Sequence, residues 1–204
     1  MVKKIEIETP SKYEVEKYLN LWDYLENYTL QESALEKLFM KTYPLNDDLD
    51  DVLIKVCALN DFYGTNIFSP FTVAKHIISL NIDKKILEGD LWIVSEIALV
   101  KMNGGKTKNF YSFATKYCSH HNPKVYPIYD SYVDKMLKCC KVKNEFDFKN
   151  EDLKDYAKFK QILIKFREYY DLEPFDLKQI DKYLWQAGKE YFPKTYSKNK
   201  KSTI

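Results

Sequence analysis

One device recurs along this chain: a short polar residue, then apolar residues returning every three or four positions. Ser11 with Glu14 is a capping-box pair, and Val15, Tyr18, Leu19, Trp22 and Leu25 follow it at helical spacing. Thr29 with Glu32 reads the same way ahead of Leu35, Leu38 and Phe39, and Pro44 closes that run. Asp50 stands before Val52, Leu53, Val56, Cys57 and Leu59. Ser69-Pro70 puts a cap before a proline at the first helical position. Asp90 opens a run through Trp92, Ile93, Ile97 and Val100. Asn150 or Asp152 starts a long helix through Leu153, Tyr156, Phe159, Leu163, Phe166 and Tyr170, and Asp176 with Gln179 caps a last one. A capping oxygen fixes where a helix begins, because the first turn leaves N–H groups without intrahelical partners. The pattern predicts an all-α chain of about eight or nine helices with no strand pair, either one compact bundle or two lobes sharing a cleft. Residues 1–193 are read as one helical domain, with the N- and C-terminal helices packing beside a central unit near 50–145. The polar segment 194–204 is expected to be disordered.

Composition excludes more than it identifies. The chain has 204 residues, 45% of them hydrophobic, enough to bury a core. Its 32 basic and 30 acidic residues nearly cancel, so net charge points to neither nucleic acid nor membrane. Arg167 is the single arginine, so phosphate contacts must come from lysine ammonium groups rather than guanidinium forks. No segment reaches the roughly 18 apolar residues of a membrane-crossing helix. The opening MVKKIEIETP lacks the apolar region of a signal peptide. Cys57, Cys118, Cys139 and Cys140 form neither a C-x-x-C pair nor a dense disulfide pattern. A cytoplasmic protein with reduced thiols is expected.

The chemistry concentrates in YSFATKYCSHHNPKVYPIYDSYV, residues 111–133. Phe110, Phe113, Ala114, Tyr117 and Cys118 make an apolar stripe on a helix, with Lys116 off its centre. Asn122-Pro123 ends that helix, Pro127 holds the chain extended, and Asp130 sits where the next N-cap belongs. An amine and a carboxylate are thereby expected to face one another across one groove. His120 and His121 with Cys118 lack a fourth ligand, so no metal is expected there, nor any other cofactor.

Lys116 followed by PIYD (Pro127 to Asp130) resembles the helix-hairpin-helix DNA glycosylase superfamily, over about residues 50–140. In that superfamily a lysine near the hairpin's second helix precedes a Pro-apolar segment and a catalytic aspartate that starts another helix. The resemblance implies catalytic roles for Asp130 and Lys116. Gly104 and Gly105 lie upstream, and Lys106 and Lys108 beside them remain alternative lysines. LNDFYGTNIFSPFTVAKHI, from Leu59, occupies the place of the family's early helix pair, whose loop reaches into the DNA minor groove. Asn60, Phe62, Tyr63, Tyr111, His120 and His121 join Lys106 and Lys108 as candidates for contact with the base or DNA. The implied substrate is double-stranded DNA with a flipped base. The implied reaction is release of a damaged or modified base, in repair or anti-phage defence, and a lysine nucleophile would add strand nicking at the abasic site. A carboxylate would stabilise the positive charge that grows on the sugar, and a lysine would attack the same carbon.

A non-catalytic helical module binding nucleic acid or a protein is the alternative, with Asp130 as a cap only. A nuclease is disfavoured by the lack of acidic residues at metal-binding spacing, a phosphate loop or an H-E-x-x-H motif. Asp181 and Trp185, four apart in DKYLW, read as packing of the last helix.

Overall fold

Side-chain caps start five of the ten α-helices in the computed structural model, which describes residues 6–193. Ser11 accepts from the Glu14 N–H and starts α1 (Lys12–Trp22). Asp48, not Asp50, caps α3 (Leu49–Tyr63), accepting from the Asp50 and Asp51 N–H groups. Pro70 occupies the first position of α4 (Pro70–Ser79), but Ser69, expected as its cap, bonds no helix N–H, its hydroxyl pairing with Thr72 Oγ1 at 2.8 Å instead. Asp176 and Gln179 form a reciprocal capping box at α10 (Leu177–Tyr191). Between these lie α2 (Glu26–Lys37), α5 (Ile82–Glu88), α6 (Ile93–Ala98), α7 (Tyr111–His121), α8 (Ser131–Cys139) and α9 (Tyr156–Tyr169). The described residues are thus an all-α bundle of ten α-helices. Two short helical turns supplement them, a π-helical one at Leu38–Thr42 and a 3-10 one at Asn150–Lys154. The segment 194–204, expected to be disordered, lies outside the described residues.

Three further expectations are corrected. Thr29 is not a cap: it lies inside α2 and its hydroxyl donates back to the Glu26 carbonyl at 3.0 Å. The long helix expected from Asn150 or Asp152 is two pieces, because Asp155 leaves helical geometry and caps α9 itself. A strand pair does exist. β1 (Leu99–Lys101) and β2 (Thr107–Asn109) form an antiparallel hairpin in the register Leu99↔Asn109, Val100↔Lys108 and Lys101↔Thr107. Gly104 and Gly105, at φ +94° and +81°, supply the left-handed turn that only glycine adopts without strain. Three-residue strands are too short to show an alternation distinct from helical spacing.

Two packing features place the functional groups. α10 lies against α8 at a very close approach: a Cβ on Gly188 would stand 2.6 Å from Tyr132 Cβ and 3.0 Å from the Tyr132 carbonyl. The same helix packs against α1, and Gln186 donates 2.8 Å to the Tyr18 carbonyl. Behind α7, the buried Lys55 donates to the Tyr43 and Leu45 carbonyls at 3.1 and 2.7 Å and to Asn46 Oδ1 at 2.7 Å. Tyr117 donates to that oxygen at 2.6 Å, and His121 Nε2 lies 3.1 Å from it. These bonds tie the turn after the π-helical segment to α3 and α7. Among the described residues no helix is long and apolar enough to cross a membrane.

Candidate functional site

The segment from Pro127 to Asp130 is fastened to α7 through its backbone. Thr115 Oγ1 accepts from the Tyr129 N–H at 3.1 Å, Ser112 Oγ donates to the Tyr129 carbonyl at 3.1 Å, and the Pro127 carbonyl accepts from Tyr156 at 2.8 Å. Every polar group of the extended strand named here has a partner, which fixes where α8 begins. Asp130 then divides its two oxygens between two tasks. Oδ1 caps α8 by accepting from the Tyr132 N–H at 2.8 Å. Oδ2 lies 3.7 Å from Lys116 Nζ. The Lys116 side chain is 2% exposed and that of Asp130 is 21% exposed, so the lysine is buried while the acid keeps an opening.

Lys116 Nζ donates to Ser112 Oγ at 2.7 Å and lies 3.3 Å from the Tyr129 carbonyl. Burial holds its amine below the usual lysine range, and the nearby carboxylates of Asp130 and Asp181 oppose that fall. A lowered amine is more readily neutral, which nucleophilic attack requires.

Lys116 and Asp130 both line one cleft of about 680 Å³, within the range of about 300–1,000 Å³ typical of small-molecule sites. Asp181 of α10 lines it too. Its Oδ1 is buried with no hydrogen-bond partner among the described residues. Burial pushes the Asp181 carboxyl up to about 8; Lys116 works against this and the charge of Asp130 adds to it. The group is therefore a neutral acid at pH 7, able to donate as well as accept a hydrogen bond.

Aromatic rings complete the walls. Trp185 stands with Trp22 and Tyr28, at centroid distances of 5.8 and 4.9 Å in edge-on geometry. On the α7 side, Tyr63 Oη lies 3.1 Å from His120 Nε2, and the Lys116 ammonium sits 5.1 Å from the Tyr63 ring centroid. Burial lowers His120 to about 4, so it is a neutral imidazole near pH 7.

Of the candidate residues read from the sequence, Lys116, Asp130, Phe62, Tyr63 and His120 line this cleft. The others do not. His121 belongs to the buried network of Asn46. Tyr111 is buried beside Tyr129, at 4.9 Å between centroids, because the stripe of α7 turns it into the core. Asn60 closes the end of α3, accepting from the Ile67 N–H at 2.8 Å. Lys106 and Lys108 are exposed on the hairpin, with the Lys108 ammonium 6.0 Å from the Phe68 ring. The sequence reading missed Asp181 and Trp185 as cleft residues. The available signal was an acid wedged beside Ile180, Tyr183 and Leu184, all core positions of α10.

A family model named HI_0787_N, described as an N-terminal domain, matches residues 14–125. The chain belongs to the HI_0787_N family. The HI_0787_N match reaches from α1 past the end of α7, so it contains Lys116 and stops before Asp130. A Haemophilus influenzae protein described as uncharacterized is 49% identical over 156 residues, covering 75% of this chain and 74% of that relative. No solved structure matches the chain.

Proposed function

We propose that this protein is a DNA glycosylase of the helix-hairpin-helix kind, releasing a damaged or modified base in repair or in defence against phage with modified DNA. One observation carries the reading: a buried amine and a partly open carboxylate, 3.7 Å apart, share a cleft walled by aromatic rings. The four free thiols fit a reducing cytoplasm.

The chemistry follows from these groups. The target base leaves the stack, at a cost of a few kcal/mol. Stacking on aromatic side chains such as Trp185 returns about 1–3 kcal/mol per base. Asp181, held neutral, offers a hydrogen bond to an edge of the base. As the C1′–N bond breaks, its electrons leave with the base, which takes up a proton. Positive charge grows on the sugar, and Asp130 Oδ2 stabilises it. Once Lys116 has passed a proton to the departing base, its amine attacks C1′; the ring C1′–O bond breaks as a proton moves from nitrogen to that oxygen, and the iminium formed loses a C2′ proton to Asp130 as the 3′ phosphate leaves. Burial of Lys116 supports this role, since a solvated ammonium ion holds its proton too firmly.

Duplex oligonucleotides carrying one lesion each are incubated with the protein, and abasic sites are revealed by alkaline cleavage. Borohydride is added in parallel to reduce any imine to a stable adduct. Asp130→Asn is expected to abolish base release while the protein stays folded, because asparagine caps a helix as well as aspartate does. Lys116→Ala is expected to remove the adduct and the strand nick. Unaltered base release by Asp130→Asn would reject the catalytic assignment and leave the cap as that residue's role.

A further inference from the structure

Facing the same cleft, two lysines of α10 converge on one carboxylate of α2. Lys178 Nζ lies 2.6 Å from Glu32 Oε1, and Lys182 Nζ lies 2.8 Å from Glu32 Oε2. All three residues line the cleft, and Asp181 stands between the lysines in sequence. Several other ion pairs of this protein are local, such as Lys84–Glu88, Lys138–Asp134 and Lys17–Glu14 within single helices. The Glu32 bridge instead joins helices far apart in the chain. Burial alone would raise the Glu32 carboxyl, but the hydrogen bonds and charges of Lys178 and Lys182 together hold it below the usual range, so it stays ionised.

The helix that bears Glu32 is lightly held. Of the twelve residues of α2, Leu35 alone is buried. Its other tie to α10 is at Tyr28, whose hydroxyl accepts from Lys189 at 2.6 Å and whose ring meets the edge of Trp185. Two ammonium groups presented to the two oxygens of one anion are the arrangement that the non-bridging oxygens of a phosphodiester accept. Partly exposed ion pairs are weak, so one anion exchanges for another at little cost.

We infer that Lys178 and Lys182 form the seat of a backbone phosphate of the bound strand, and that Glu32 is an internal anion occupying that seat until the strand displaces it. The inference rests on the nucleic-acid reading above and adds to it a binding site and a trigger. Displacement frees α2, so the arriving strand itself unlatches the cleft beside the group that meets the base.

The test uses the full chain in an Asp130→Asn background, so that base release does not disturb binding. Affinity for a fluorescently labelled undamaged duplex and for the single strand is measured by anisotropy between 50 and 200 mM salt. Glu32→Gln is expected to tighten binding about 3- to 10-fold, by removing the competing anion. Lys178→Ala with Lys182→Ala is expected to lower the slope of log affinity against log salt by about 1, and to erase the effect of Glu32→Gln. Trp22 and Trp185 flank Tyr28 on this wall, and with Trp92→Phe they are the remaining tryptophans. Their emission is expected to shift on adding oligonucleotide and not on adding inorganic phosphate at equal phosphate concentration. An equal shift with inorganic phosphate overturns the assignment to a strand. If DNA binds and Glu32→Gln leaves affinity unchanged or weaker, the latch is overturned and the glycosylase reading stands. If no variant binds either form of DNA, both fail together.

Discussion

Replacing Asp181 with asparagine should stabilise this protein, increasingly as pH rises. The Asp181 carboxyl is pushed from an ordinary 3.8 to about 8, chiefly by burial, and its Oδ1 has no hydrogen-bond partner among the described residues. Well below its unfolded value both states hold the proton and the substitution changes little. Between about 4 and 8 the unfolded chain has lost that proton while the folded chain retains it. Folding then takes up one proton, and stability falls as pH rises, by at most about 1.4 kcal/mol per pH unit. Above about 8 the folded acid ionises too, and its full burial penalty persists. Asparagine has no proton to lose, so the variant lacks this slope. From pH 5 to 8 the ceiling on the widening gap is about 4 kcal/mol. Local relaxation reduces it, and we expect a gap on the order of 2–3 kcal/mol by pH 8. Urea denaturation of parent and Asp181→Asn at pH 5, 6, 7, 8 and 9 measures it directly. Parallel curves across that range, or an asparagine variant less stable at pH 8, would refute the claim that burial keeps this acid neutral. The asparagine amide still donates a hydrogen bond, so lesion binding should be retained, whereas Asp181→Leu should lose it.

Gly188→Ala drives a methyl group to 2.6 Å from Tyr132 Cβ, an overpacking cost of about 1–3 kcal/mol. Better helix propensity returns up to about 1 kcal/mol. A lower melting temperature is therefore expected, and an unchanged or higher one would show that α8 and α10 separate freely. Trp185→Ala should weaken binding to lesion-bearing duplex by about 1–3 kcal/mol relative to undamaged duplex; equal losses on both would mean that the ring packs rather than stacks. Asp130→Asn keeps the cap but takes a carboxylate from the buried Lys116, so urea stability should fall by about 1–3 kcal/mol; an unchanged stability would mean that the contact with Lys116 adds nothing to folding.

The helical character of this chain was legible in its sequence because caps and apolar spacing act over four or five residues. Ser11, Ser69, Asp130 and Asp176 each begin a helix through a bond to an N–H two or three positions on, or through a proline suited to the first turn. The joint from 111 to 133 was legible for the same reason, since Pro127 and Asp130 dictate an extended strand followed by a helix start. Where local signals competed they misled. Thr29 and Asp50 have the right chemistry one turn or two residues from where the helices begin, and the hairpin at 99–109 is too short to show a strand's period. Which groups share the cleft was decided by packing between distant elements. Gly188 lets α10 approach α8, and that approach brings Asp181 and Trp185 into the cleft that Asp130 lines. The burial that neutralises Asp181 and lowers Lys116 belongs to no residue's own identity. It exists only once α2, α7, α8 and α10 have closed around them, because desolvation is a property of the surroundings.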